Sequence, residues 1–111
     1  MSSTMTKLKT YIAGPMRGKP DFNRDSFYKA EKKLNKLSCY DTYNPARADS
    51  ELDMSDEELV SKRGLRAVMK RDLNALLDCD IIYMLRGWEK SEGATIEHRL
   101  AAMLSMTILY E

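Results

Sequence analysis

The sequence predicts a three-layer α/β protein, in which a parallel sheet of four to five strands carries helices on both faces. Short apolar runs rich in β-branched and aromatic residues alternate with longer segments whose apolar residues recur every three or four positions. The most apolar short run, Cys79 to Leu85, lacks the alternation of a half-exposed strand, as expected of a strand buried on both faces. The resulting order, β-α-β-α-β-α-β, calls for a flavodoxin- or Rossmann-like parallel sheet.

The length of 111 residues fits one domain, expected at residues 7–111 after a flexible N-terminal tail at 1–6. Eighteen basic and seventeen acidic residues are interleaved, which disfavours nucleic acid as a partner. No apolar run is long enough to span a membrane or to form a secretory signal, so we expect a cytoplasmic protein without a membrane partner. Two cysteines and one histidine show no ligand spacing, so neither a metal nor a cofactor is expected.

The chain begins with a predicted strand at residues 8–13, which ends at the Gly14-Pro15 breaker pair. A helix capped by Asn23 or Asp25 is expected to end near Ser38. The later predicted elements are a strand at 39–43, a polar connection at 46–54, a helix from 55 to about 77, strands at 79–85 and 106–110, and between them a helix containing residue 97. The helix from residue 55 opens with a capping box, Ser55 with Glu58, and an interruption is predicted at Gly64.

Glu97 lies on the apolar stripe of its helix. Its neighbours at helical spacing are all small or apolar, namely Gly93, Ala94, Leu100, Ala101 and Leu104. A carboxylate there is costly unless it is paired, protonated or used in chemistry. Glu97 is therefore a candidate functional residue, with a structural ion pair to Arg99 or another base as the alternative.

Asp72 is a second acid on an apolar stripe, one formed by Leu65, Val68, Met69, Leu73 and Leu76. The alternative is a carboxylate satisfied by Arg71 or by backbone amides. Arg71 is disfavoured as a partner because one residue step turns the helix by about 100°.

Three loops and a helix start are expected at the carboxyl ends of the strands, where parallel sheets bind ligands. The loop after the first strand, with Arg17 and Lys19, could hold a phosphate, or it could be a plain surface loop. Ser91 and Gly93 open a helix, whose N–H groups and dipole suit an anion. Two carboxylates in such a cleft favour glycosidic chemistry, in which one acid attacks a sugar and the other protonates the leaving group.

Three segments, YIAGPMRG (11–18), KRDLNALLDCDIIYML (70–85) and SEGATIEHRLA (91–101), resemble the nucleoside 2-deoxyribosyltransferase superfamily. The resemblance extends over nearly the whole chain and is greatest to a short, uncharacterised bacterial and phage form. It implies that Glu97 is the nucleophile, that Asp72 protonates or orients the departing base, and that Tyr11 touches the nucleophile or the sugar.

Ser91 distinguishes branches of this superfamily. Members acting on free nucleosides are expected to have aspartate there, whereas 2'-deoxynucleoside 5'-phosphate N-hydrolases have serine. The resemblance thus implies a deoxynucleotide substrate, contacted by Gly14, Met16, Arg17, Gly18, Asn44, Ser91, Gly93 and Trp88. Trp88 is expected to stack on the base or close the cavity, or else to form a dimer contact.

Two features depart from the family pattern. Arg99 stands where the family has a small residue, usually glycine. Better-known members continue beyond the last strand and lend a side chain to the neighbouring subunit, whereas this sequence stops at Glu111. The resemblance still implies a homo-oligomer, a dimer or higher. In such an oligomer the Gly87-Trp88 loop is an alternative source of the side chain that one subunit lends to its neighbour's site.

The sequence therefore predicts an enzyme that cleaves or transfers at the N-glycosidic bond of a 2'-deoxynucleoside 5'-monophosphate through a glycosyl-Glu97 intermediate. A hydrolase and a transferase share the first half-reaction, so the sequence does not distinguish between them. The alternatives are a binding module that sequesters a nucleotide without catalysis, and a glycohydrolase of an adenine dinucleotide.

Overall fold

A computed structural model describes residues 7–111, so the tail predicted at residues 1–6 lies outside the described residues. The strands are β1 (Leu8–Ala13), β2 (Tyr40–Tyr43), β3 (Ile81–Met84) and β4 (Thr107–Tyr110). The helices are α1 (Arg24–Asn35), α2 (Pro45–Ser50), α3 (Asp56–Val60), α4 (Lys62–Leu77) and α5 (Glu92–Met103), with 3₁₀ turns at Pro20–Asn23 and Trp88–Lys90.

The strands form one parallel sheet in the order β2-β1-β3-β4. Tyr11 of β1 pairs with Tyr43 of β2 on one side and with Ile82 of β3 on the other. The chain moves outward from β1 to β2 and then crosses back to β3, so the strand order reverses between β1 and β3. In open α/β sheets this reversal opens a crevice at the carboxyl ends of the strands.

Each face of the sheet carries its own core, which confirms the predicted three-layer α/β fold. One core, next to α4 and α5, contains Tyr11, Ala13, Leu76, Ile82, Met84, Ala94 and Ala101. The other, next to α1 and α2, contains Ile12, Phe27, Ala30, Leu34, Ala46, Tyr83 and Leu85. Successive residues of β1 and β3 point to opposite faces, and β3 is buried along its whole length whereas β1 is buried from Thr10 to Ala13. None of the helices within residues 7–111 has the length and apolar character needed to cross a membrane.

The segment after Asn44 differs from the prediction, because part of the predicted polar connection folds as helix α2. Asn44 caps it, its side-chain oxygen accepting from Ala46 N at 2.9 Å and from Arg47 N at 3.4 Å. Pro45 follows at the first helical position, where its missing N–H costs nothing. A short helix with a strong cap has too few apolar residues to be recognised by periodicity.

The predicted interruption of the long helix occurs at Ser61 and not at Gly64. The capping box of Ser55 and Glu58 is confirmed and begins α3. Ser61 then ends α3 and caps α4, since its Oγ donates to the Glu58 carbonyl at 2.6 Å and accepts from Gly64 N at 3.1 Å. A second capping serine therefore divides the helix.

Of the two caps predicted for α1, Asn23 has the predicted position, but neither Asn23 nor Asp25 caps the helix with its side chain. Asn23 occupies the N-cap position, but its φ of +59° is left-handed and its side chain makes no cap hydrogen bond. Its Nδ2 instead donates to the Pro15 carbonyl at 2.8 Å, which ties the start of α1 to the loop after β1. Asp25 lies inside the first turn of the helix and pairs with Lys29 at 3.0 Å.

Candidate active site

A cavity of about 390 Å³ opens at the carboxyl ends of β1 and β2, between α4 and the start of α5. Its lining comprises Tyr11, Ile12, Ala13, Gly14, Met16, Arg17, Phe27, Pro45, Leu65, Val68, Met69, Asp72, Lys90, Ser91, Glu92, Gly93, Ala94, Ile96 and Glu97. The wall is largely apolar and carries two buried carboxylates, one from α4 and one from α5. A concave apolar site with few converging polar groups is the usual form of a small-molecule site.

Glu97 is buried, with 7% of its surface exposed, and it accepts a hydrogen bond from the hydroxyl of fully buried Tyr11. Burial raises the pKa of Glu97 to about 8, although the Tyr11 hydrogen bond opposes the rise and the charge of Asp72 adds to it. The pKa of Tyr11 is also raised, mainly by burial, so its hydroxyl keeps its proton and donates it. The alternative partner Arg99 is exposed to solvent.

Asp72 is buried, with 5% exposure, but the argument that disfavoured Arg71 as its partner is wrong. Arg71 donates to Oδ1 of Asp72 from Nε at 2.9 Å and from Nη2 at 2.7 Å. Helical spacing gives the direction of the Cα–Cβ bond, whereas a long arginine side chain can turn back along its own helix. Burial raises the pKa of Asp72, and the charge and hydrogen bonds of Arg71 oppose that rise.

Tyr43 is a polar neighbour of this pair that the sequence did not reveal. Its hydroxyl donates to Oδ1 of Asp72 at 3.0 Å and accepts from Arg71 Nε at 3.0 Å. Its ring stacks on Tyr11 with centroids 5.4 Å apart, as the parallel register of β1 and β2 allows. The signal available in the sequence was a tyrosine in each of two neighbouring strands, at positions that the parallel register pairs. The stacked rings place the Glu97 and Asp72 contacts side by side.

Two cations line the same cavity. Arg17, predicted from the first loop, is exposed and donates to the Val60 carbonyl at 3.2 Å, while Lys90 precedes α5 and was not predicted. Within residues 7–111, neither side chain forms a salt bridge with a carboxylate. Glu92 of the first turn of α5 also lines the cavity and partly offsets their charge.

The start of α5 lies in the cavity wall, with Ser91 at the N-cap and Gly93 in the first turn. Ser91 Oγ accepts from Ala94 N at 3.2 Å, so its oxygen is engaged in capping. A side-chain carbon at Gly93 would meet no atom within 4 Å, so the backbone there is open. The helix start thus presents backbone N–H groups next to the buried carboxylates.

Gly14 and Met16, from the loop after β1, line the cavity as well. A side-chain carbon at Gly14 would lie 2.7 Å from Cβ of Leu85, so only glycine lets β1 and the end of β3 come so close there. This close approach keeps the first loop next to the start of the β3–α5 connection.

Three residues from the predicted substrate contacts are not among those lining the cavity: Gly18, Asn44 and Trp88. Gly18 has a left-handed φ of +80° and is exposed, which fits a turn. Asn44 caps α2, although its buried Nδ2 has no partner among the described residues. Trp88 stacks on His98 with ring centroids 4.2 Å apart.

Within residues 7–111, no group of three or more histidine, cysteine, aspartate or glutamate side chains is arranged to hold a metal ion. Both cysteines, Cys39 and Cys79, are free thiols. The polar side chains that line the cavity are carboxylates, hydroxyls and cations.

The fold is shared with a solved 2-deoxyribosyltransferase from the psychrotolerant bacterium Bacillus psychrosaccharolyticus. The two chains are 20% identical with a TM-score of 0.68, and the match covers 92% of this chain and 70% of that one. No curated protein matches the sequence. The model of a family described as a domain of unknown function, DUF4406, matches residues 8–110. Since that match spans almost every residue described, the chain belongs to the DUF4406 family.

Proposed function

We propose that this protein cleaves or transfers at the N-glycosidic bond of a 2'-deoxynucleoside 5'-monophosphate through a covalent glycosyl-Glu97 intermediate. The observation that carries the proposal is a pair of buried carboxylates, Glu97 and Asp72, which project from two helices into one apolar cavity. Glycosidic bond cleavage commonly uses two carboxylates whose environments differ. Here Glu97 is bound by the hydroxyl of Tyr11, and Asp72 by Arg71 and a second tyrosine, Tyr43.

Glu97 is the proposed nucleophile. Its carboxylate would attack C1' of the sugar while the C1'–N bond breaks and its electron pair goes to the base nitrogen. Water or a second base would then displace Glu97 from C1'. Attack requires the ionised form of Glu97, which a pKa of about 8 makes the minor form at neutral pH. The Tyr11 hydrogen bond and the positive charge that develops on the sugar both favour that ionised form.

Asp72 is the proposed partner of the departing base, as an acid or as an orienting acceptor. Its Oδ1 accepts three hydrogen bonds, two from Arg71 and one from Tyr43. Oδ2 accepts none from the described residues, so it is the oxygen left for a ligand. The base nitrogen that gains the electron pair of the broken bond takes up a proton, which a protonated Asp72 would donate; an ionised Asp72 would instead accept a hydrogen bond from the base and orient it.

The 5'-phosphate is proposed to lie at the start of α5, near Lys90 and Arg17. Both cations line the cavity without a carboxylate partner in the described chain, and helix N-termini favour anions. The shared fold supports glycosyl transfer at a coarser level, since the solved relative is a 2-deoxyribosyltransferase.

The test is release of free base, measured by chromatography, from a panel of deoxynucleoside monophosphates and the matching nucleosides near pH 8.5. We expect release from monophosphates, and a loss of at least about a thousandfold in Glu97→Gln, because the amide cannot attack C1'. The matched control is Glu89→Gln, the same change at an exposed position before α5. Adding a second base separates transfer from hydrolysis.

Two results would count against the proposal. Equal release by the wild type and Glu97→Gln would remove Glu97 as the nucleophile. Calorimetric binding of a monophosphate without any base release would replace the enzyme with a nucleotide-binding module.

A further inference from the structure

We propose that Arg71 and Tyr43 are positioning residues that hold one oxygen of Asp72 and leave the other for the substrate. The inference rests on the proposed function for its catalytic consequence, but the contacts themselves are independent of it. Neither Arg71 nor Tyr43 lines the cavity, so both would act through Asp72.

Three donors converge on Oδ1 of Asp72. Arg71 contributes Nε at 2.9 Å and Nη2 at 2.7 Å, and the Tyr43 hydroxyl lies at 3.0 Å. Arg71 Nε also donates to the Tyr43 oxygen at 3.0 Å, which closes a triangle of hydrogen bonds. A carboxylate held in this way by one oxygen cannot rotate without breaking all three bonds.

Arg71 is itself anchored from outside the cavity. Its Nη2 donates at 2.5 Å to Oδ1 of Asp49, whose side chain is 10% exposed and belongs to α2. Its Nη1 is buried and has no hydrogen-bond partner among the described residues. The guanidinium is therefore bound along one edge, the edge that faces the two aspartates. A charged hydrogen bond of this kind is stronger than a neutral one.

The surroundings of Asp72 explain why a positive charge is needed there. Tyr11 of β1, Tyr43 of β2, Asp49 of α2 and Glu97 of α5 all interact with it electrostatically, and Arg71 is the cation of the group. Burial alone would favour a neutral Asp72. Arg71 opposes this and keeps the carboxyl near Glu97 polar and fixed in direction.

The experiment follows the titration of the Asp72 carboxyl by carbon NMR in the intact protein, with the signal assigned through Asp72→Asn. In Arg71→Met we expect the pKa of Asp72 to rise by about one to three units, since a nearby cation lowers a carboxyl pKa by that amount. Tyr43→Phe should raise it by less, because it removes one hydroxyl donor and keeps the ring stacked on Tyr11. Arg66→Met is the matched control, the same change on the exposed side of α4.

Kinetics supply the second readout. We expect kcat for base release to fall in Arg71→Met and in Tyr43→Phe, with the pH profile displaced in the direction of the Asp72 titration. Arg71→Lys should restore the titration better than it restores kcat, because it keeps the charge and loses the paired N–H groups.

An Asp72 pKa that is the same in the wild type, Arg71→Met and Tyr43→Phe would overturn the inference, as would an equal shift in Arg66→Met. If Arg71→Met does not fold, Tyr43→Phe decides by the same titration. A wild type that releases no base would overturn the proposed function, while the titration would still show whether Arg71 and Tyr43 hold Asp72.

Discussion

At the scale of single residues, Glu97 affects the stability of the fold most directly, because a buried acid makes the free energy of unfolding depend on pH. A glutamate pKa is about 4.3 in an unfolded chain, and burial raises the pKa of Glu97 to about 8 in the folded one. A raised acid pKa gives stability that is fully present below the unfolded value and is lost as pH rises through the folded value. The affected window therefore runs from about pH 4.3 to about pH 8.

We expect Glu97→Gln to gain stability relative to the wild type as pH rises through this window, since a buried amide cannot ionise. The largest gain in the free energy of unfolding is about 1.4 kcal/mol for each unit by which the folded and unfolded pKa values of Glu97 differ. Urea denaturation of both proteins between pH 5 and pH 9 measures the difference, with Glu89→Gln as the exposed control. A difference between Glu97→Gln and wild type that stays constant with pH would mean that Glu97 is not buried as an acid.

At this scale the inward direction of Glu97 and Asp72 could be predicted, because it depends only on helical spacing. The partners of Asp72 could not. Tyr43 reaches it only through the β1–β2 register, and Arg71 reaches it with a flexible side chain that periodicity does not describe. The assignments of Glu97, Asp72 and Tyr11 to chemical roles stay predictions.

At the scale of elements, the contact between α3 and α4 depends on Gly64. A side-chain carbon there would overlap the Glu58 carbonyl oxygen and lie 3.2 Å from the Leu59 Cα. Both are backbone atoms, so α3 would have to move. Glycine at this position thus allows the short helix α3 to pack closely against the start of α4.

We expect Gly64→Ala to lower the free energy of unfolding by about 1–3 kcal/mol, the usual cost of overpacking. Chemical denaturation monitored by circular dichroism measures it. Gly93→Ala is the matched control, because a side-chain carbon there meets no atom within 4 Å. Loss of equal stability in both variants would contradict the packing argument.

The elements themselves were largely predictable, because short strands and amphipathic helices have distinct periods. The first strand has its predicted bounds, and the capping box at Ser55 marks a true helix start. Helix α2 and the break at Ser61 were missed because hydrogen bonds of single side chains, from Asn44 and Ser61, create them. Such caps set the helix boundaries locally and hardly change the hydropathy pattern of the sequence.

At the scale of the whole molecule, a nearly neutral chain of net charge +1 brings to one cavity two cations that have no carboxylate partner among residues 7–111. If the proposed function holds, a deoxynucleoside monophosphate should bind more tightly than its nucleoside, and the difference should shrink as salt is added. We expect Arg17→Met and Lys90→Met each to reduce the monophosphate affinity several-fold and to leave nucleoside affinity nearly unchanged. The loss of an exposed charge contact worth about 0.5–1 kcal/mol corresponds to a several-fold loss of affinity.

Isothermal calorimetry at two salt concentrations measures these affinities. Lys62→Met, which removes an exposed cation at the start of α4, is the matched control. Equal binding of nucleotide and nucleoside by the wild type would contradict a phosphate contact at this cavity.

The parallel sheet was predictable at this scale because alternating strands and helices leave few other topologies. The strand order β2-β1-β3-β4 is decided by packing between segments distant in sequence, so local sequence patterns do not predict it. The cavity follows from that order, since its walls come from the loops that meet where the order reverses.

Trp88 gives the molecule a built-in optical reporter. It is the single tryptophan of the chain, stacked on His98, and its carbonyl accepts from Ser91 N at 3.0 Å, at the cap of α5. The emission of an indole depends on the groups that touch it, so fluorescence follows the stacking on His98 and the geometry of this turn. A ligand that moved the start of α5 would therefore change this emission, and stopped flow would time the change without an attached dye.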